Sequence, residues 1–334
     1  MAAAGSVRRL LGNLALLLGS ITFAAALLEF SIRVFVPRLD PSGSPVFQVD
    51  PQGLCLGPRN TTCRQFTFTG DYDVQVRFNR YGLRDRKDLA DSSANDLFVV
   101  GDSFGFGWGV PEAERFSNRL DRLLPAAVYN LCIPNDLLGY QRMIEYARAK
   151  GAAVRKLIVA LCMENDLLDY ARLRRRPPRD SRGPVDKIKA WLIAHSAAAM
   201  GAATLIHAYP SLKRWAIRAG LVVDGVVGMP HYSFSDATVA ATAVELRRIA
   251  DSYDTVVLII PSRGLWVGSQ RATEARVHRH LMARLQELGL KVVDLKPPFE
   301  ASGDPLQFYF PQDGHWNAAG HELAAEVLAR HLRT

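Results

Sequence analysis

Three short motifs in this 334-residue sequence combine residue types that serve nucleophilic catalysis. The first is Gly101-Asp102-Ser103, which follows an apolar run, and another is Asp313-Gly314-His315-Trp316 near the C-terminal end. A histidine oriented by a carboxylate can take the proton of a serine hydroxyl and so make its oxygen a nucleophile. The remaining motif contains Asn165, whose side-chain amide could stabilise an oxyanion. Together these residues predict acyl transfer through Ser103.

Each motif also has a purely structural interpretation. Gly-Asp-Ser is common in turns, and Asn165 and Asp313 stand where a side chain could cap the next helix. Catalysis is favoured because all the motifs come at strand ends or helix starts, in the order Ser, Asn, Asp and His. In a parallel sheet, such positions meet at one edge.

Other kinds of site are disfavoured by spacing. The glycines at 105, 107 and 109 do not complete a dinucleotide fingerprint, because position 110 is valine, and no Gly-Lys-Ser/Thr follows. The sequence has no Cys-x-x-Cys and no His-Glu-x-x-His, so we predict no metal site. We also expect no cofactor.

The elements that must position these residues appear from residue 96 onward, where short apolar runs alternate with amphipathic segments. This pattern predicts an α/β fold with a doubly wound, flavodoxin-like, five-stranded parallel sheet. The predicted strands are 97–100, 126–129, 157–161, 255–260 and 290–294. The predicted helices are 112–124, 137–150, 236–250, 270–288 and 317–332.

Two further regions flank or interrupt this body, which we place at 93–334. Residues 39–92 read as an extended lead-in, with a β-hairpin where apolar and polar residues alternate on both sides of Gly70-Asp71. Residues 171–232 break the strand–helix rhythm, so they are predicted to be a basic helical insertion.

The charge of the chain is concentrated in two segments. The sequence has 41 basic and 33 acidic residues, an excess of +8, within an ordinary globular composition of 49% apolar residues. Residues 171–190 hold eight Lys/Arg against two Asp, and residues 1–38 hold four Arg against one Glu. The rest of the chain is therefore about neutral, and we expect no nucleic-acid partner.

The N-terminal segment, residues 1–38, determines the predicted compartment. Arg8 and Arg9 precede an uncharged run from Leu10 to Leu28, and an apolar helix over residues 10–36 is long enough to span a bilayer. We favour an uncleaved signal anchor; a cleaved signal peptide and a buried soluble helix are the alternatives. The predicted location is the inner (cytoplasmic) membrane, single-pass, with the remaining residues periplasmic or extracellular.

The four cysteines fit two different roles. Cys55 and Cys63 lie in one short segment, and an oxidising compartment would let them form a disulfide. Cys132 and Cys162 follow apolar runs and are expected to be small buried residues.

The conjunction of motifs resembles the SGNH (GDSL-like) hydrolase family, from about residue 93 to the C-terminal end. The resemblance implies that Ser103 is the nucleophile, that Asp313 and His315 complete the triad, and that the Ser103 N–H and Asn165 form the oxyanion hole. Upstream, residues 78–84 (Phe-Asn-Arg-Tyr-Gly-Leu-Arg) look like the lead-in of membrane-anchored members.

Two blocks depart from the usual family pattern. The last block has Asp two residues before His, where the family usually has three, and its D-x-H-W form is similar to the alginate O-acetyltransferase branch. The family's second sequence block, residues 130–135 here (Asn-Leu-Cys-Ile-Pro-Asn), has lost both of its glycines, so Gly139 is the substitute candidate for a third oxyanion donor. An α/β-hydrolase elbow is the nearest rival, but there the acid and histidine usually lie on separate loops and several strands precede the serine.

The resemblance therefore implies a membrane-anchored serine esterase or O-acyltransferase. Its expected substrates are acyl esters, above all acetyl esters, of envelope or exopolysaccharide sugars. The alternative is a non-catalytic scaffold subunit of a polysaccharide-modifying membrane complex. The basic flank and apolar helix at 171–193 suit anionic lipid or a membrane-embedded acyl-donor protein as a partner.

Overall fold

The computed structural model describes residues 2–42, 44–49, 53–67, 69–174, 184–219 and 235–333. The chain divides into two compact units. The first comprises Met1–Ser44 with Ser181–Val223, and the second comprises Pro45–Asp180 with Asp224–Thr334. This division differs from the predicted boundaries, because the N-terminal helix is grouped with the helical insertion and the hairpin region with the α/β body.

The second unit contains all the strands of the described residues. They are β1 (Gln48–Val49), β2 (Cys55–Leu56), β3 (Thr62–Phe66), β4 (Asp73–Arg77), β5 (Leu97–Gly101), β6 (Val128–Asn130), β7 (Lys156–Cys162), β8 (Asp254–Ile260) and β9 (Lys291–Asp294).

The helices belong to both units. They are α1 (Ala2–Phe35), α2 (Ser103–Phe106), α3 (Phe116–Leu123), α4 (Leu137–Ala149), α5 (Tyr170–Leu173), α6 (Pro184–His195), α7 (Ala197–Ala208), α8 (Pro210–Arg218), α9 (Asp236–Ser252), α10 (Arg271–Glu287), α11 (Lys296–Ala301) and α12 (Ala318–Arg333).

Strands β5 to β9 form the predicted five-stranded parallel sheet, in the order β6-β5-β7-β8-β9. This is the flavodoxin-like order, and it confirms the predicted fold class. All of β5 and all but the first residue of β7 are buried, as expected for strands covered by helices on both faces. Because β5 and β7 run parallel side by side, the residues after Gly101 and after Cys162 meet at one edge.

The predicted hairpin is also confirmed. Strands β3 and β4 pair antiparallel with Phe66 opposite Asp73. Val76 and Phe78 belong to the same buried cluster as Val99 of the central sheet. The hairpin is therefore continuous with the α/β core, which explains why it falls in the second unit.

The first unit is helical in its described residues. Its helix α1 contains a 25-residue stretch, Leu11–Phe35, with a mean hydropathy of 2.0, long and apolar enough to cross a membrane. Helices α6 to α8, which belong to the predicted insertion, fall in the same unit as α1. Four arginines of the basic flank lie outside the described residues: Arg175, Arg176, Arg179 and Arg182.

Candidate active site

Ser103 lies at the turn between β5 and α2. The Asp102 carboxylate caps the helix by accepting a hydrogen bond from the Phe104 N–H at 2.9 Å. A side chain at Gly105 would come within 2.4 Å of Cys132 Sγ, so the turn can pack against the segment that follows β6 only with glycine there. The Ser103 N–H makes no hydrogen bond within the described part of the chain, which leaves it available to an oxyanion.

The structure brings Ser103, His315 and Asp313 together. His315 Nε2 lies 2.7 Å from Ser103 Oγ, and His315 Nδ1 lies 2.5 Å from Asp313 Oδ1. The same carboxylate oxygen accepts the backbone N–H of His315 at 2.9 Å. The two-residue spacing therefore lets a tight turn fold the carboxylate back onto its own histidine. These contacts have the geometry of a nucleophile, its base and the group that orients the base.

Several contacts hold the Asp313–His315 pair in place. The His315 ring packs against two aromatic rings, stacked with Trp108 at a centroid distance of 5.6 Å and tilted relative to Phe104 at 5.1 Å. The other Asp313 carboxylate oxygen accepts a hydrogen bond from the Tyr72 hydroxyl at 3.0 Å. Its backbone carbonyl accepts one from the Arg263 guanidinium at 2.9 Å.

The protonation state of Asp313 suits the role of orienting group. Burial acts to raise the pKa of this carboxyl, but hydrogen bonds and charge from His315, with a smaller contribution from Tyr72, hold it below its ordinary value. An ionised Asp313 favours the tautomer in which His315 carries its hydrogen on Nδ1. The lone pair of Nε2 then faces Ser103 Oγ and can take its proton.

Asn165 stands in the turn after β7, and its amide Nδ2 donates to Asp102 Oδ2 at 2.8 Å. The motif that contains Asn165 therefore lies next to the turn that carries Ser103, at one edge of the sheet. One amide hydrogen is used by Asp102, and within the described part of the chain the other has no acceptor. The role of Asn165 as an oxyanion donor remains a prediction.

The expectation that Gly139 supplies a third oxyanion donor is corrected by the structure. Its N–H donates to Asp136 Oδ1 at 3.0 Å, because Asp136 caps the N-terminus of α4. A Cβ on this glycine would fall 1.9 Å from Asn135 Cγ, so the side chain of Asn135 fills the adjacent space. Gly139 serves helix capping and close packing.

The predicted disulfide between Cys55 and Cys63 is also corrected, because both residues are buried free thiols. Cys55 lies in β2, which pairs with β1, whereas Cys63 lies in β3, which pairs with β4. Burial raises the pKa of Cys55 to about 11 and raises that of Cys63 as well. Cys132 and Cys162 are buried free thiols, as predicted.

Sequence reasoning missed three residues of this site: Tyr72, Glu164 and Arg263. The Arg263 N–H donates to Glu164 Oε1 at 2.8 Å while its guanidinium holds the Asp313 carbonyl, so Arg263 joins two of the predicted motifs. Tyr72 comes from the hairpin turn. No pattern of spacing marks these residues, because their roles depend on contacts between distant parts of the chain. Among the described residues, no cluster of three or more His, Cys, Asp or Glu could hold a metal ion.

Comparison with protein families gives a match in the C-terminal part of the chain. A family model described as the SGNH hydrolase-like domain of the acetyltransferase AlgX matches residues 234–334. This match confirms the resemblance to SGNH hydrolase-like acetyltransferases, and its range includes Asp313 and His315 but not Ser103. Comparison with curated protein sequences finds no match.

Solved structures with a similar chain path include lipolytic and esterase proteins. A member of the lipolytic G-D-S-L family from Veillonella parvula is 15% identical, with 70% of this chain and 96% of that chain covered and a TM-score of 0.43. The lipase/acylhydrolase from Enterococcus faecalis is 12% identical, with coverages of 71% and 95% and a TM-score of 0.40. The acetyl xylan esterase AlAXEase is 11% identical, with coverages of 71% and 99% and a TM-score of 0.40. The assignment to the hydrolase and acetyltransferase kind rests on the family match.

Proposed function

We propose that this chain is a membrane-anchored, extracytoplasmic serine esterase or O-acyltransferase that acts on acetyl esters of envelope or exopolysaccharide sugars. The observation that carries the proposal is the hydrogen-bonded chain from Ser103 Oγ through His315 to Asp313. The family match to an acetyltransferase domain supports an acyl group as the transferred unit. The apolar stretch of α1 supports the membrane anchor.

The geometry suggests the following sequence of proton and acyl transfers. Ser103 Oγ attacks the ester carbonyl carbon while its proton passes to His315 Nε2. The developing oxyanion accepts hydrogen bonds from the Ser103 N–H and the free hydrogen of the Asn165 amide. When the tetrahedral intermediate collapses, His315 gives its proton to the departing sugar oxygen and an acyl-serine remains. Water or a second sugar hydroxyl then attacks the acyl-serine, again with His315 as base.

The proposal is tested with the full-length chain in mild detergent and a small acetyl ester. Ser103→Ala and His315→Ala should each lower kcat/KM by about 10³-fold or more, as expected when such a residue is lost. A fluorophosphonate should label the parent chain at Ser103. The exposed Ser93 provides a matched control, because Ser93→Ala should retain parent turnover. Parent-like turnover in either site variant would remove the catalytic assignment.

The membrane location requires a separate test. A reporter active only outside the cytoplasm, fused after the last residue, should be active, and the chain should stay with membranes after a high-salt wash. Release of a shortened soluble form would show that residues 1–38 are a cleaved signal.

A non-catalytic scaffold in a polysaccharide-modifying complex is the second candidate. It is favoured by the second block, where the glycines are lost and the Gly139 N–H is already bonded to Asp136. In this case the parent chain would turn over no acetyl ester. Ser103→Ala would then support polysaccharide acetylation in cells as well as the parent does, whereas loss of the whole chain would abolish it.

A further inference from the structure

We propose that Tyr72 is a positioning residue for the Asp313–His315 pair, so that the hairpin preceding the sheet forms part of the active site. This inference rests on the proposed function. Tyr72 follows the turn between β3 and β4 and is 9% exposed. Its hydroxyl donates to Asp313 Oδ2 at 3.0 Å and accepts a hydrogen bond from Trp108 Nε1 at 2.6 Å.

The direction of these hydrogen bonds is determined by their chemistry. An indole N–H can only donate, so the oxygen of Tyr72 must accept from Trp108 and its single hydrogen is left for Asp313. Burial, together with the negative charge of Asp313, raises the pKa of Tyr72 far above its ordinary value. Tyr72 therefore stays a hydrogen-bond donor throughout the pH range in which an esterase works.

The consequence concerns the orientation of the carboxylate. One oxygen of Asp313 accepts from His315 and the other accepts from Tyr72, so rotation of the carboxylate would break a hydrogen bond to a charged group. Trp108 reinforces the arrangement because the same indole both donates to Tyr72 and stacks on the His315 ring. A chain of hydrogen bonds thus runs from Trp108 through Tyr72 and Asp313 to His315, the base.

The hairpin turn and the Asp313 loop are also joined by other contacts. The backbone N–H of Gln312 donates to Asp71 Oδ2 at 3.1 Å, and the Tyr72 and Phe310 rings lie 5.1 Å apart. Gly109 has a φ of +80°, and a Cβ there would come within 2.6 Å of Tyr72 and 2.7 Å of Phe310. The phenol ring is therefore seated by packing that does not depend on its hydroxyl.

This packing makes Tyr72→Phe an informative variant, since it removes the hydroxyl and leaves the ring. We expect kcat for a small acetyl ester to fall by about 10- to 100-fold, the range for a lost hydrogen bond to a charged group, with KM nearly unchanged. The acid limb of the kcat/KM profile should move to higher pH. Without the hydrogen bond from Tyr72, the negative charge of Asp313 is less stabilised, so the Asp313–His315 pair binds a proton more strongly. Tyr253→Phe is the matched control, because among the described residues the hydroxyl of Tyr253 accepts from Arg148 alone, near the start of β8 and away from the site.

The outcomes separate this inference from the proposed function. If the parent chain is inactive, or Ser103→Ala is as active as the parent, the proposed function fails. If the parent is active and Tyr72→Phe has the same kcat and the same pH profile, only the role of Tyr72 fails. Activity is expressed per folded chain, measured from the urea unfolding curve, and a loss explained by the unfolded fraction would also overturn the inference.

A separate surface in the first unit points to a lipid partner. We infer that α6 to α8 lie in the interfacial region of the membrane, against the end of α1, an inference that rests on the proposed anchor. These helices, with the residue that joins α7 to α8, expose a set of large apolar side chains: Ile188, Trp191, Leu192, Ile193, Leu205, Tyr209, Leu212 and Trp215. Such a concentration is unusual on a surface that faces water, and tryptophan and tyrosine are enriched where membrane meets water.

Contacts within the first unit fix the depth of these helices. Glu29, in the last two turns of α1, accepts hydrogen bonds from the N–H groups of Ala197 and Ala198, both at 2.9 Å. Arg33 donates to the carbonyl of His195 at 2.7 Å. The junction of α6 and α7 is therefore held beside the last two turns of the apolar stretch of α1, close to the level of the lipid headgroups if α1 spans the bilayer.

The charge of this segment favours anionic lipid as its partner. Residues 184–219 contain five Lys/Arg and one Asp, and the described arginines of α8, Arg214 and Arg218, are exposed. Basic residues beside exposed tryptophan and leucine are typical of helices that lie on anionic membranes.

Spin labels on introduced cysteines test this placement in the full-length chain. The four native cysteines are buried, so Leu192→Cys and Leu212→Cys give single reactive thiols. Leu123→Cys in α3 is the matched control, since Leu123, Leu192 and Leu212 are 38%, 40% and 43% exposed. In vesicles of phosphatidylethanolamine and phosphatidylglycerol, labels at 192 and 212 should collide with oxygen in preference to a water-soluble nickel complex, and the label at 123 should show the reverse.

A fourth label, at Leu18→Cys in α1, separates the failures. If position 18 lies in lipid while positions 192 and 212 face water, the interfacial placement is wrong and the anchor stands. If positions 192 and 212 are shielded from both reagents, they are covered by protein, and the lipid assignment is also wrong. If position 18 itself faces water, the anchor fails and the interfacial placement fails with it.

Discussion

The side-chain amide of Asn165 donates a 2.8 Å hydrogen bond to the buried carboxylate of Asp102. The same carboxylate accepts the Phe104 N–H at 2.9 Å and so shapes the turn that presents Ser103. One acidic group therefore sets both the position of the nucleophile and the orientation of the amide beside it. Burial raises the pKa of Asp102, and the hydrogen bonds from Asn165 and Phe104 oppose that shift.

Replacing Asn165 tests its role in stabilising the oxyanion. Asn165→Ala should lower kcat for a small acetyl ester by about 10²–10³-fold with little change in KM, as for the loss of one donor that acts mainly in the transition state. The exposed Asn95 gives the control, because Asn95→Ala should match the parent. If kcat is retained in Asn165→Ala, the amide only supports Asp102, and the oxyanion must be bound by other donors.

Asp313 can be tested by a change that conserves its shape. Asp313→Asn should lower kcat by about 10⁴-fold, the loss seen when an amide replaces the orienting carboxylate of a serine protease, because the wrong histidine tautomer is then favoured. Labelling by a fluorophosphonate should slow to a similar extent. Asp251→Asn is the control: it removes an exposed ion pair with Arg247 and should leave kcat equal to that of the parent. A loss of less than tenfold in Asp313→Asn would show that His315 is oriented by other groups.

Much of the architecture could be predicted because its signals are local. The five strands are short apolar runs, and the order of Ser103, Asn165 and His315 along the chain places all three at one sheet edge in a doubly wound fold. Gly101 and Gly105 on the two sides of Ser103 are explained by close contacts with Ala160 of β7 and with Cys132 after β6, which leave no space for a Cβ. These features follow from periodicity and from turn chemistry.

The remaining features depend on contacts between distant segments. Tyr72 meets Asp313 across 241 positions in sequence, and the insertion joins α1 through hydrogen bonds that span more than 160 positions. The wrong prediction for Gly139 had the same origin. A glycine near the altered second block can offer its N–H to an oxyanion only if no neighbouring side chain already accepts that N–H, and here Asp136 accepts it. The spacing of residues along the sequence does not show which N–H groups already donate a hydrogen bond within the protein.

The redox state of Cys55 and Cys63 can be measured directly. The structure predicts four free thiols, all buried. An alkylating reagent should therefore modify none of them in the folded chain and all four after denaturation without reductant, as counted by mass spectrometry. A control sample denatured with reductant should give the same count. If two fewer thiols are modified in the sample denatured without reductant, Cys55 and Cys63 form the disulfide that the sequence predicted.

Glu164 offers a test based on pH, because it lies beside Asn165 and accepts the Arg263 N–H. Burial raises the pKa of Glu164 to about 7, against smaller opposing effects of the Arg263 N–H and the charges of Arg263 and His315. In the unfolded chain a glutamate titrates near 4.3. The folded state thus holds this proton more tightly, so the contribution of Glu164 to stability is complete below about pH 4 and is lost as the pH rises through about 7.

Glu164→Gln stays neutral at every pH and keeps an oxygen to accept the Arg263 N–H. The free energy of unfolding of the variant should therefore rise relative to that of the parent by up to about 2 kcal/mol between pH 5 and pH 8, a value reduced because Glu164 keeps some exposure to solvent. Urea unfolding of the full-length chain in mild detergent, followed by tryptophan fluorescence, measures this difference. Glu287→Gln, at an exposed glutamate, should show no such trend. A constant difference between Glu164→Gln and the parent across this range would mean that Glu164 is already ionised at pH 5, and that the turn beside Asn165 carries a fixed negative charge.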